Sequence, residues 1–299
     1  MFKDKDIVCF LGDSITAGGL YMAEVYQTLR KKYKIKCFNC GVSGGTAKKA
    51  IEYLHSFCLH YNPSIVITMF GINDIERWLL EEKHKNFPGR EELLRSAIDI
   101  YKDCYERIIC EIKTSGAEAV ICIPVPYDEE SEGAEENLHC QHRLDECGEF
   151  LYSLAKKYDC FVVDYKKAMK PLLSEGVISP DRVHPTARGY HIMAQTFLYE
   201  VGEIPNIDTE TEFEFEAWNK ERFDAEQELH TLRYVEYCDI FEAGWLQNKS
   251  LEEKKALARK KFDAIENKTT FVPRAYLDYI KRADIMDRLI GDVIKKTVF

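Results

Sequence analysis

The first two hundred residues predict an α/β fold, a parallel sheet covered by helices on both faces. Short β-branched runs alternate there with longer amphipathic patterns, the sequence signature of strand–helix–strand crossovers. The strand candidates, such as Ile7–Leu11 and Ile65–Phe70, are almost continuously apolar, as expected of strands buried on both faces rather than one. After about residue 203 the strands stop, so the chain divides into an α/β domain over 1–202 and an all-helical extension over 203–299.

The elements follow in order. A buried strand over 7–11 ends at Gly12, and a helix over 20–33 carries Met22, Val25, Tyr26 and Leu29 on one face. A strand near 35–40, a helix near 46–60, a strand at 65–70 and a long helix near 90–115 come next. Residues 119–124 form the fourth strand, 140–158 a helix, 161–165 the fifth strand and 186–202 the closing helix. In such sheets ligands bind outside the carboxyl ends of the strands, so the loops that follow the first three strands carry the most interest.

The extension has a different texture. Pro205 and the carboxylates Glu210, Glu212, Glu214 and Glu216 lead into three amphipathic helical patterns. The first places Phe215, Trp218, Ala225, Leu229 and Leu232 on one face, continued by Val235, Cys238, Phe241 and Trp245. Ser250–Glu253 forms a capping box for the second, and Pro273 suits the first turn of the third. The aromatic faces are expected to pack or to join two copies into a homodimer.

Composition excludes several classes. A formal net charge of −10 disfavours nucleic acid, whose polyphosphate backbone is held by clustered Lys and Arg. No apolar run approaches the ~18–20 residues that a membrane helix needs. The start of the chain lacks the apolar stretch of a signal peptide, and the eleven cysteines are odd in number and scattered through apolar segments. A reducing cytoplasm is therefore expected, with Cys9, Cys58, Cys110 and Cys122 acting as small hydrophobes. The stretch Asp128–Glu136, six carboxylates in nine residues, is expected to be a solvated loop.

Four segments carry chemistry. Gly12-Asp13-Ser14-Ile15-Thr16 lies where a buried strand turns toward a helix, a place from which a serine can present its hydroxyl at the open sheet edge. Asn39–Thr46, after the second strand, contains Gly41, Gly44 and Gly45, whose backbone N–H groups suit an oxyanion hole. Gly71-Ile72-Asn73-Asp74, after the third, offers an amide donor in Asn73. Asp181-Arg182-Val183-His184-Pro185 supplies a general base with a carboxylate three residues earlier on one loop. Each segment alone is an ordinary turn or cap, but together they provide every role that acyl transfer requires. A phosphate-binding reading fails because no Lys-Ser/Thr pair follows Gly18 or Gly19, and Gly41, Gly44 and Gly45 do not make Gly-x-Gly-x-x-Gly.

These four blocks, in this order over about residues 5–200, resemble those of the SGNH/GDSL esterases. The resemblance implies a flavodoxin-like three-layer sandwich with a five-stranded parallel sheet. It implies Ser14 as nucleophile, His184 as general base and Asp181 as its orienting acid. The Ser14 N–H, the Gly44 N–H and the Asn73 amide then form the oxyanion hole. Ile15 departs from the leucine of the name motif, but the position stays apolar. Asp13, Asp74 and Trp78, with Glu76 and Arg77, are candidates to line the pocket.

The activity so implied is hydrolysis of a small ester through an acyl-serine intermediate, on short-acyl esters or acetylated carbohydrates rather than long-chain lipids. Two alternatives share the residues: an O-acyltransferase that uses a sugar hydroxyl in place of water, and a non-catalytic carbohydrate-binding or scaffold protein. No metal or cofactor is expected. Cys37 and Cys40 fall on a strand with odd separation, and His139, Cys140, His142 and Cys147 match no familiar zinc pattern. Trp78, Trp218 and Trp245 are expected to be core or interface aromatics rather than sugar platforms. The extension or the Tyr127–Glu136 loop is a candidate cover for the cleft.

Overall fold

The structure, a computed structural model, describes residues 1–130 and 139–209. Five strands, β1 (Ile7–Gly12), β2 (Lys36–Gly41), β3 (Ile65–Met69), β4 (Glu118–Ile123) and β5 (Phe161–Asp164), pair in parallel in the order β2-β1-β3-β4-β5. Among the described residues seven α-helices accompany them: α1 (Ser14–Gly18), α2 (Leu20–Leu29), α3 (Ala47–Phe57), α4 (Arg90–Thr114), α5 (Cys140–Tyr158), α6 (Tyr165–Met169) and α7 (Ala187–Glu200). Helix α2 packs with α7, and α6 with α7, on one side, whereas α4 packs with α3 and α5 on the other. This is the three-layer α/β/α sandwich expected from the strand–helix alternation.

The central strand explains the layering. Val8, Cys9, Phe10 and Leu11 are fully buried because helices close both faces of β1. Phe10 meets Tyr21 and Phe197 toward α2 and α7, with ring centroids 5.8 and 6.1 Å apart. Cys9 faces the opposite way, where its sulfur gathers with those of Cys40 and Cys58 within 4.8 Å. Burial pushes the Cys9 and Cys58 thiols well above their usual range, so they stay neutral and pack as small hydrophobes. The ten cysteines among the described residues are thiols rather than disulfides. Cys110 departs from the expected burial: it is half-exposed, its sulfur 3.1 Å from the Tyr158 hydroxyl. His142 points outward toward Glu146, away from the buried Cys140 and Cys147.

Three differences from the sequence reading have physical causes. Helix α2 stops at Leu29 rather than 33, because the N–H groups of Lys31 and Lys32 turn back to carbonyls only three residues earlier. The one-turn helices α1 and α6 are too short to leave a periodic trace. Asp128 is buried rather than solvated, since its N–H donates to the Arg182 carbonyl oxygen at 3.1 Å. The rest of that loop, 131–138, and the helical patterns from Phe215 onward lie outside the described residues. No helix among the described residues is long and apolar enough to cross a membrane.

Strand order reverses between β1 and β3: the chain leaves β1 toward β2 on one side, then crosses back to β3 on the other. The loops that follow these two strands therefore diverge and open a crevice at the carboxyl edge. Helix α7 carries a separate constraint on that edge. His191 on α7 lies 2.9 Å from the Glu24 carboxylate on α2, both buried, and Gln195 Nε2 donates to the same carboxylate at 2.7 Å. This polar tie locates α7, and with it the segment that immediately precedes it in the chain.

Candidate active site

Ser14 is the first residue of α1, directly beyond β1. Asp13 caps the helix, its carboxylate accepting from the Ile15 N–H at 2.9 Å. The turn needs glycine at position 12, because a β-carbon there would lie 2.8 Å from the Met69 carbonyl oxygen. With the backbone so folded, Ser14 Oγ lies 2.7 Å from His184 Nε2, across 170 residues of sequence.

His184 comes from a closed loop. Antiparallel bridging of Ile178 with Pro185 and a Ser179 N–H to His184 carbonyl bond of 2.8 Å draw its two arms together. Arg182 takes a left-handed backbone (φ 68°), and its carbonyl is clamped by the Asp128 N–H. Asp181 Oδ2 lies 2.6 Å from His184 Nδ1, while Oδ1 accepts from the N–H groups of Val183 and His184 and from Ser179 Oγ. Partial burial disfavours the Asp181 charge, yet these four donors outweigh it and hold the carboxyl well below the usual carboxylate range. The carboxylate side chain is 52 % exposed and the imidazole 40 %, so the pair opens to solvent.

The oxyanion candidates sit on the neighbouring loops. The turn after β2 rests on the end of β1, where the Val42 N–H donates to the Gly12 carbonyl at 2.9 Å. Gly44 has a left-handed backbone (φ 69°) and is exposed. Neither its N–H nor that of Ser14 has an acceptor among the described residues. Asn73 Nδ2 donates to the Gly45 carbonyl oxygen at 3.0 Å, which uses one of the two amide hydrogens and leaves the second. Asn73 thereby ties the loop after β3 to the turn after β2.

Asp13 and Asp74, expected to line the pocket, are both buried. Asp74 Oδ1 accepts from the Ala47 N–H at 2.8 Å, at the start of α3, and Oδ2 has no partner among the described residues. Burial pushes the Asp74 carboxyl up to about 8, against the Ala47 bond and with the Asp13 charge adding to the rise. Burial likewise pushes Asp13 up to about 6, against the Ile15 bond and the nearby His184.

For Trp78 the sequence leaves core, interface and pocket-lining places open. The residue is 41 % exposed rather than core, because Leu79 and Leu80 supply the buried anchors of its segment. Tyr190 is a neighbour of the site that no sequence signal singled out. Tyr190 on α7 lies within electrostatic reach of Asp13 and Asp181, and the Arg77 and Arg182 charges both act on the buried Tyr127.

A parallel α/β sandwich that lines up a serine, a histidine and a carboxylate at its carboxyl edge has the site geometry of the serine hydrolases. The model of the GDSL-like lipase/acylhydrolase family matches residues 8–197, and the chain belongs to that family. An acetylxylan esterase of Geobacillus stearothermophilus is 25% identical over 218 residues, covering 64% of this chain and 92% of the relative.

Among solved structures, Axe2, an acetylxylan esterase of the same organism, superposes with a TM-score of 0.55 at 24% identity, over 67% of this chain and 95% of its own. Catalytic mutants of Axe2 with alanine in place of a serine, of an aspartate, or of a histidine three positions after that aspartate have the same fold. A gut microbial diltiazem-metabolizing enzyme gives a TM-score of 0.60 at 23% identity over 68% of this chain. The chain spans 48% of the length of that enzyme.

Proposed function

We propose that the protein removes short acyl groups, acetyl foremost, from ester-linked saccharide hydroxyls through an acyl-serine intermediate on Ser14. The observation that carries this reading is the unbroken series Ser14 Oγ to His184 Nε2 (2.7 Å) and His184 Nδ1 to Asp181 Oδ2 (2.6 Å). His184 takes the Ser14 proton as Oγ attacks the acyl carbon. The proton then passes to the alcohol oxygen as its bond to that carbon breaks. Water repeats the sequence on the acyl-serine and releases the acid. The negative oxygen of each tetrahedral intermediate accepts from the Ser14 and Gly44 N–H groups and from the second hydrogen of the Asn73 amide.

The saccharide reading draws on two supports. The exposed His184–Asp181 pair leaves room for a large alcohol in solvent. The Geobacillus relative, named for acetylated xylan, keeps the aspartate-to-histidine spacing of three.

Treatment with a fluorophosphonate tests the mechanism: one equivalent attached to the Ser14 peptide, with loss of p-nitrophenyl acetate hydrolysis, is the expected result. Rates falling from acetate through butyrate to octanoate would fit the short-acyl preference. A folded protein that neither labels nor hydrolyses would refute both. Asn73→Ala is expected to lower kcat about 10²–10³-fold with a smaller change in KM, since the amide acts on charge that develops only in the transition state. A pure KM effect would remove Asn73 from the oxyanion hole.

A further inference from the structure

We propose that Trp78, flanked by Phe87, is a stacking platform for a sugar ring of the alcohol half of the ester. The inference rests on the ester-cleaving reading above and adds to it the group that holds the substrate.

Trp78 and Phe87 are 41 % and 40 % exposed, although a large aromatic ring gains free energy by leaving water. Their exposure is not a matter of loose placement. The indole N–H donates to Glu76 Oε2 at 2.6 Å, and the rings of His84 and Phe87 stand nearly perpendicular to the indole, with centroids 5.3 and 5.2 Å away. His84 Nδ1 donates to the Trp78 carbonyl at 2.7 Å, and Arg90 Nε donates to that of Leu79 at 2.8 Å. Glu76 itself adopts a left-handed backbone (φ 51°), a conformation that costs a non-glycine residue free energy and aims its carboxylate at the indole. An exposed ring fixed by a hydrogen bond, two ring contacts and a strained neighbour is preorganised to receive something flat and apolar.

Its place in the chain says where. Trp78 lies five residues beyond Asn73, and buried Ile75 and Leu79 fasten the stretch between them to the body of the domain. Arg77, its immediate neighbour, acts electrostatically on Tyr127 together with Arg182 of the His184 loop, so this segment and the catalytic loop approach a common point. The same segment exposes Glu82, Lys83 and Lys85, which breaks up any broad apolar area of the kind a lipid surface or an acyl chain would require. One or two ring faces within a polar border match the apolar face of a pyranose, whose hydroxyls point outward to water and to charged neighbours. An acetylated saccharide docked so would present its ester toward Ser14.

The test uses the full-length protein with two probes. Xylohexaose, unacetylated, is titrated into wild type, Trp78→Ala and Trp78→Phe by calorimetry. The expected result is saturable binding to wild type, weakened about tenfold or more in Trp78→Ala and largely recovered in Trp78→Phe, which keeps an aromatic face. In parallel, the ratio of kcat/KM on acetylated xylohexaose to that on p-nitrophenyl acetate is expected to fall about tenfold in Trp78→Ala, through KM for the saccharide. No binding by wild type, or a Trp78→Ala protein that retains wild-type affinity and ratio, overturns the platform while leaving the esterase reading intact. If wild type cleaves neither ester, the esterase reading fails, and the xylohexaose titration still decides whether Trp78 holds a sugar.

Discussion

Ser14→Ala and His184→Ala are each expected to lower kcat on p-nitrophenyl acetate by up to ~10⁶-fold, and Asp181→Asn by ~10³–10⁴-fold, with melting curves close to wild type. The ordering follows from the geometry. Without Ser14 no bond to the acyl carbon forms, and without His184 the Ser14 proton has no acceptor at 2.7 Å. Asp181 acts one step back, by accepting from Nδ1 so that Nε2 faces the serine with a free electron pair. Asparagine at 181 can keep the bonds from Val183 N–H, His184 N–H and Ser179 Oγ, so the loop survives. Its amide hydrogens, however, favour the wrong imidazole tautomer. Double variants are expected to lose little beyond the worst single change, because the three side chains act as one unit. Steady-state rates on all single and double variants decide this, and additive losses would show that the residues do not work in series.

The second large effect concerns stability rather than rate. Asp74→Asn is expected to stabilise the fold by on the order of 2–4 kcal/mol at pH 8 relative to its effect at pH 4. Below the ordinary carboxyl value of 3.8 both the folded and the unfolded chain hold the Asp74 proton, and no penalty arises. As pH rises the unfolded chain releases that proton, while the folded chain keeps it until about 8. Native stability therefore declines across this window and levels off above it. Asparagine has no proton to lose, and its carbonyl can still accept from the Ala47 N–H. Asp13, pushed up to about 6, adds a smaller decline between pH 4 and 6 in both proteins. Denaturant unfolding at pH 4, 6 and 8 supplies the comparison, and a stability difference that does not grow with pH would mean that Asp74 is ionised in the folded chain without cost.

Both expectations grow from features that differ in how visible they are in sequence. The order of strands and helices was legible because central strands such as Val8–Leu11 are apolar throughout, while α4 repeats its apolar stripe from Leu94 to Ile112 at helical spacing. The Asp-x-x-His spacing was legible because both side chains belong to one short loop, where local geometry brings them within 2.6 Å. The one-turn helices α1 and α6 were not, since one turn carries no period. Whether Trp78 sits in the core, at an interface or beside the pocket was not legible for a related reason: an aromatic residue beside Leu79 and Leu80 looks like part of an apolar run, and only the fold shows which members turn inward.

By itself, then, the sequence determined the parallel α/β sandwich, the family blocks and the residue types at the carboxyl edge, because periodicity and local loop spacing are properties of neighbours along the chain. The tertiary structure decided the rest. It brought Ser14 to His184 across 170 positions, and it buried Asp13 and Asp74, which raises their proton affinity. It also left Trp78 facing water beside the loop of Asn73. These depend on strand order and on burial, and the free energy of a charge or an aromatic ring is set by what surrounds it in space, which no stretch of neighbouring residues specifies.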